Sequence, residues 1–198
     1  NTNPENNQSC ENQIEILHQL AKENQVVAIG ECGLDFSPAP PGEKNRSLKE
    51  QVFLFKKQIE IAQELNLPII VHSRDAFSKT LAILSYYKNL TGVFHCYSAG
   101  KKKIKNVLRL GFYFGVDGNL TYDSGLQNVF REIPIKKVLL ETDAPFLTPV
   151  PYRGQLNQPA FLIHTAKKLG EIRNFAFDKI DQETTKNAIS LFRLSSPK

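Results

Sequence analysis

Methionine and tryptophan are absent from this chain of 198 residues. An open reading frame ordinarily begins with Met, and Asn1 stands in that place, so the sequence reads as a fragment lacking its natural start. Cysteine is scarce: Cys10, Cys32 and Cys96 form an odd set with no paired spacing. That excludes a disulfide scaffold and points to a reduced, cytoplasmic protein, with a nuclear location left open. No apolar run approaches the roughly 18 residues that span a bilayer. No signal-peptide pattern opens the chain. Neither a membrane nor an obligate protein partner is therefore expected. The net charge of +5, from 25 Lys and Arg against 20 Asp and Glu, permits an anionic partner without demonstrating one.

What is present is an alternation of short apolar runs and helical stretches. The runs are "VVAIGE" (26–31), "LPIIVHS" (67–73), "GVFHCYS" (92–98), "GFYFGVDG" (111–118) and "KVLLETD" (137–143). They are rich in β-branched and aromatic residues and do not alternate cleanly with polar ones, which predicts strands buried on both faces. Helical spacing is clearest over 47–66, where Leu48, Val52, Phe55, Ile59, Ala62 and Leu65 share one stripe. Ser47 and Glu50 are spaced as a capping box. Further helices are predicted over 76–88, 101–110, 124–132, 159–169 and 178–193. Residues 1–13 read as a polar loop, 14–24 as a helix and 37–46 as a Pro-rich loop. Strands alternating with helices predict an α/β fold built on a parallel sheet, with 1–198 as a single domain.

The strands end in chemistry. Glu31, His72, His95 and Asp143 each close an apolar run. In a parallel sheet or barrel the C-terminal strand ends meet at one face, where ligands bind. Two imidazoles and two carboxylates there suit one or two divalent metal ions, which would offset the desolvation of Glu31. Each residue also has a plainer reading: a hydrogen-bonded core histidine for either His, a turn start for Asp143, and a paired structural acid for Glu31. His18 and His164 fall in helical segments and carry only the plainer reading. Cys32 and Cys96 follow two of the candidate ligands by one residue, so strand alternation predicts that both point away from the site.

The ordered set "AIGECGLDF", "LPIIVHSRDA", "GVFHCYSAG", "YFGVDGNL", "LLETDAPFL" and "RGQLNQP" resembles the successive motifs of the TatD-type metal-dependent deoxyribonucleases, members of the amidohydrolase-like superfamily. The match runs from about Gln25 to Leu194 and includes "TTKNAISLF". The resemblance implies a (β/α)8 TIM-type barrel with a metal centre of one or two ions (Mg, Mn or Zn) at its C-terminal face. It implies metal ligation by Glu31, His72, His95 and Asp143, with Asp143 also handling the proton of the attacking water. It further implies that Arg153 and Asn157 bind substrate phosphate. Gln158 stands where the family usually has Glu, and no His-x-His pair matches the family's first strand. The five visible runs correspond to the family's strands 4–8. The expectation is a partial barrel with open edges at the strands of Glu31 and Asp143.

The implied activity is metal-dependent hydrolysis of DNA phosphodiester bonds, exonucleolytic in mode. Two alternatives stay open: another bond on the same barrel, such as an aminoacyl-tRNA ester, or an inactive truncated product. No sequence-reading module is visible, so DNA or another nucleic acid would be held mainly through its backbone and ends. The run "KKKIK" (101–105) is a solvated helix face or a rim that attracts that backbone, and Tyr97 and Phe36 are candidates to stack bases.

Overall fold

The computed structural model describes residues 4–39, 41–42 and 44–195. Pro40 and Glu43 of the Pro-rich loop and the first three residues of the polar lead-in lie outside the described residues. The chain forms two compact units, Asn1–Gly92 and Val93–Lys198. Strand and helix alternate in both, which makes the fold α/β. No helix among the described residues is long and apolar enough to cross a membrane.

In the first unit, helix α1 (Pro4–Leu20) precedes strand β1 (Ile29–Asp35), helix α2 (Leu48–Glu64), strand β2 (Ile69–Arg74) and helix α3 (Phe77–Leu84). The loop expected over residues 1–13 is overturned from Pro4 onward. Proline is tolerated in a first helical turn, and Cys10, buried like Ala21, starts a stripe continued by the half-buried Ile14 and Leu17. That stripe carries helical spacing once Cys10 is counted as a hydrophobe. Helix α2 begins as expected: Ser47 accepts from the Glu50 N–H, and the Glu50 side chain accepts from the Ser47 N–H. Its buried face is Phe55, Ile59, Ile61 and Ala62, whereas Leu48, expected on the stripe, is exposed.

Strand β1 runs four residues past Glu31, which lies third in the strand and does not close it. Alternation explains the extension. Cys32 and Leu34 bury into the core, while Glu31, Gly33 and Asp35 share the opposite face. The strand is thus two-sided, not buried on both faces. β1 and β2 pair in parallel, with Gly33 opposite His72. A Cβ at Gly33 would lie 1.9 Å from the His72 carbonyl oxygen, and its φ of +154° is open to glycine.

In the second unit the order is β3 (Gly92–Phe94), α4 (Ile104–Arg109), β4 (Tyr113–Val116), α5 (Ser124–Phe130), β5 (Val138–Leu140), α6 (Leu162–Arg173) and α7 (Phe177–Phe192). β3 pairs with β4 and β4 with β5, all parallel. Phe94, Phe112, Phe114 and Phe130 fill the core. Tyr97 joins them, buried with its ring edge-on to Phe114 at 4.8 Å, and so is not placed to stack a base. Helix α7 buries Ile180, Thr184, Asn187 and Leu191, one face of a helix. The Asn187 amide donates to the carbonyls of Ile135 and Val138, fixing the start of β5.

Two stability changes follow. Ser47→Ala should cost about 1 kcal/mol in chemical denaturation, by loss of the cap. Phe55→Ala should cost about 3–5 kcal/mol, by cavity formation. Equal effects would mean that α2 is not held mainly by its buried face.

Candidate metal centre

The first unit brings Glu31 to His72. Glu31 Oε2 stands 3.8 Å from His72 Nδ1, and the other ring nitrogen, Nε2, is 3.1 Å from Asp35 Oδ2. Asp35 is fixed in turn. Its Oδ1 accepts from the Ser37 N–H at 2.8 Å and the Ser37 hydroxyl at 2.5 Å. Gln51 accepts from the Asp35 N–H and donates to its carbonyl. Burial pulls the Asp35 carboxyl up, but the hydrogen bonds from Ser37 and His72 outweigh it and leave the group below its ordinary value. With the Nε2–H donating a hydrogen bond to Asp35, His72 presents Nδ1 on the side of Glu31.

The second unit brings His95 to Asp143. His95 Nε2 is 3.4 Å from Asp143 Oδ1, and His95 Nδ1 is 2.8 Å from Glu141 Oε2. The other Glu141 oxygen accepts from the Cys96 N–H at 2.5 Å. The imidazole is nearly buried, with its side chain only 10% exposed. Here a carboxylate holds Nδ1, so Nε2 is the atom presented toward Asp143. The two histidines are thus oriented through opposite ring nitrogens.

Glycine makes room for this arrangement. A Cβ at Gly115 would lie 2.5 Å from Glu141 Oε1, so the carboxylate occupies the space that any other residue would fill. Asp143 (φ +54°) and Cys96 (φ +44°) both adopt the left-handed backbone region, which residues with a Cβ seldom enter. Asp117, buried after β4, accepts from the Asn119 N–H at 2.7 Å. Burial holds its carboxyl above the usual range, and the charges of Glu141 and Asp143 add to the rise.

The cysteines separate. Cys32 points into the core, with Sγ 3.6 Å from the Ile70 carbonyl, and burial pushes its thiol up to about 12. Cys96 does not point away from the site as expected. Its left-handed φ breaks strand alternation, and Sγ lies 3.7 Å from His95 Nδ1. Burial first, then the charge of Glu141, holds this thiol far above its ordinary value.

Arg153 and Asn157 sit on the loop that follows Asp143. The Arg153 guanidinium lies 4.1 Å over the Tyr122 ring and is exposed. Asn157 is buried and donates to the carbonyls of Thr142 and Phe146, each at 2.7 Å. Its Oδ1 accepts from the Gln158 N–H at 2.9 Å. Its polar atoms therefore frame the loop that carries Asp143, which departs from the direct phosphate contact expected of it. His18 pairs with Glu64 across α1 and α2, and His164 packs edge-on to Tyr152, both apart from these groups.

Sequence reading missed Asp35, Glu141, Asp117 and the inward turn of Cys96. The first had a signal. Asp35 follows Glu31 by four residues within β1, an even spacing that strand periodicity places on one face.

Donor atoms about 2.1 Å from one divalent cation stand roughly 3.0–3.4 Å apart along the edges of an octahedral or tetrahedral shell. The separation of His95 Nε2 and Asp143 Oδ1 fits this, and that of His72 Nδ1 and Glu31 Oε2 is slightly wider. Imidazole and carboxylate are donors for Zn, Mn and, through oxygen, Mg.

A family model described as TatD related DNase matches residues 2–193. YcfH of Escherichia coli (strain K12), named an uncharacterized metal-dependent hydrolase, is 37% identical over 194 residues, covering 96% of this chain and 71% of the relative. A protein of Erwinia billingiae (strain Eb661) named 3'-5' ssDNA/RNA exonuclease TatD is 35% identical over 190 residues, covering 90% of this chain and 70% of the relative. The crystal structure of YJJV, a TatD homologue from Escherichia coli, aligns with a TM-score of 0.84 at 30% identity, covering 93% of this chain and 71% of that one.

The packing of Glu141 over Gly115 has a spectroscopic consequence. At a pH of about 8.5, where an ordinary histidine is neutral, nitrogen-15 NMR of the metal-free protein should show His95 as the Nδ1–H tautomer. Gly115→Ala should displace the carboxylate and shift the ring toward Nε2–H. An unchanged tautomer would show that Glu141 does not orient the ring.

Proposed function

The chain belongs to the TatD related DNase family and is a metal-dependent hydrolase, and from that footing we propose that it cleaves phosphodiester bonds of DNA, working from an end. Residues 1–198 act as one catalytic domain, equivalent to strands 4–8 of a (β/α)8 barrel. Glu31, His72, His95 and Asp143 ligate one or two divalent ions, drawn from Mg, Mn and Zn. The observation that carries this reading is the pairing of His95 Nε2 with Asp143 Oδ1 at coordination-edge spacing, just past two parallel strands, with Glu141 fixing the ring from behind. The printed name of the Erwinia billingiae relative supports a nucleic-acid substrate attacked from an end.

Phosphodiester hydrolysis needs an activated water, a proton acceptor and neutralisation of the phosphoryl oxygens. When bound, the cation supplies Lewis acidity to the water and the phosphate. The chain supplies the rest. Asp143 accepts the proton of the attacking water at a carboxylate oxygen. Asp35 and Glu141 keep the two imidazoles in the tautomers that present Nδ1 of His72 and Nε2 of His95. Arg153 offers a planar fork to the phosphate, pre-positioned by its stacking on Tyr122. Asn157 contributes through the loop it frames.

Asp143→Asn keeps the size of the side chain but removes its charge and basicity. Turnover of single-stranded DNA should fall about 100-fold or more, while DNA binding measured by fluorescence anisotropy stays largely intact. His72→Ala should weaken Mn2+ affinity, with partial rescue of activity by excess Mn2+. Chelation should silence the wild-type chain, and added Mn2+ or Mg2+ should restore it. Equal DNA degradation with Asp143 intact or neutralised would defeat the proposal, as would full activity in excess chelator.

A further inference from the structure

The loop after Asp143 shows large apolar side chains to water while its backbone is tightly fixed. Phe146 is 68% exposed and Leu156 is 79% exposed. The two are carried on opposite arms of one loop. The Asn157 N–H donates to the Pro145 carbonyl at 3.0 Å, and the Asn157 amide to the Phe146 carbonyl. Further ties run from the Phe146 N–H to the Asp143 carbonyl and from the Thr148 hydroxyl to the Gln155 carbonyl. A loop held at so many points does not fold over to cover its own apolar groups.

Other aromatic rings near this loop have occupants. Tyr152 stacks on Phe161 at 4.1 Å, and Arg153 covers Tyr122. Phe146 makes no ring contact among the described residues, and it stands three residues from Asp143 on the same loop as Arg153. An exposed flat apolar face and an exposed guanidinium carried on one loop match the two halves of a nucleotide, a base with a π-face and a phosphate. Exposed apolar area of this kind is unfavourably hydrated, and covering it with a ligand is favourable.

We infer that Phe146, flanked by Leu156, is a stacking platform for the unpaired terminal base of a single-stranded nucleic acid whose phosphate is held by Arg153. The inference rests on the nuclease reading for its substrate class, to which the printed name of the Erwinia billingiae relative already attaches single strands, and adds the side chain that seats the terminal base. A duplex end keeps its terminal base stacked and paired, so it would meet this platform only after fraying. Base identity matters little, because every base has a π-face.

The absence of tryptophan makes the test direct. Phe146→Trp places a single indole in the chain. In chelator, where no cleavage occurs, a short single-stranded oligodeoxynucleotide should quench its fluorescence. The same oligonucleotide with an abasic terminal residue should bind roughly 5- to 150-fold more weakly. Phe146→Ala, read by anisotropy of a labelled oligonucleotide, should lose that difference between base-bearing and abasic ends. Equal affinity and equal quenching by the two oligonucleotides would overturn the inference, and so would a Phe146→Ala chain that keeps the wild-type preference. The nuclease reading fails separately. Base-selective quenching by a chain that does not cleave DNA when supplied with Mn2+ leaves the platform standing, whereas DNA cleavage without base selectivity removes the platform alone.

Discussion

Negative charge gathered around a nearly buried imidazole is the constraint on which the rest of the second unit depends. Asp117, Glu141 and Asp143 crowd the same neighbourhood as His95, and the charges of Glu141 and Asp143 add to the cost of ionising the buried Asp117. One imidazole cannot neutralise three carboxylates. Glu141 is partly relieved by the Cys96 N–H and the His95 ring, and Asp117 by the Asn119 N–H. A divalent cation held there would offset what remains, so the cluster suits a metal centre. The first unit repeats the theme more mildly, with Glu31 and Asp35 on the two nitrogens of His72.

Holding these groups in place takes backbone choices that stability alone would not select. Cys96 and Asp143 sit in the left-handed region without being glycine. Gly115 gives up a side chain in a central strand so that Glu141 can lie across it. Such costs are tolerated where surrounding contacts over-determine the conformation. Those contacts are visible: Asn157 ties down the loop of Asp143, Asn187 anchors the start of β5, and Gln51 grips the backbone of Asp35.

Much of this was legible in the sequence because periodicity and capping act locally. The capping box of Ser47 and Glu50 and the apolar stripe from Phe55 to Ala62 are short-range signals, and the structure follows them. The alternation of strand and helix likewise identified the α/β class. What stayed hidden depended on backbone geometry or on pairing across the chain. The inward turn of Cys96 follows from a positive φ that no local residue type announces. The alternation that extends β1 through Asp35 is local, but it is completed by pairing with β2, where Asp35 stands opposite Arg74. Helix α1 starts earlier than its polar composition suggests, because the buried Cys10 serves as an apolar anchor. Asn157 illustrates a further limit: a motif shows that an amide matters without showing whether it meets a ligand or holds a loop.

The most direct test of the account is X-ray absorption spectroscopy of the chain loaded with Zn2+. The proposed ligands are imidazole nitrogens of His72 and His95 and carboxylate oxygens of Glu31 and Asp143. The spectrum should therefore show a shell of nitrogen and oxygen at about 2.0–2.2 Å with imidazole scattering, and that scattering should diminish in His95→Ala. A sulfur contribution at about 2.3 Å, which would place the ion on Cys96, would contradict the account. So would a shell of oxygen alone.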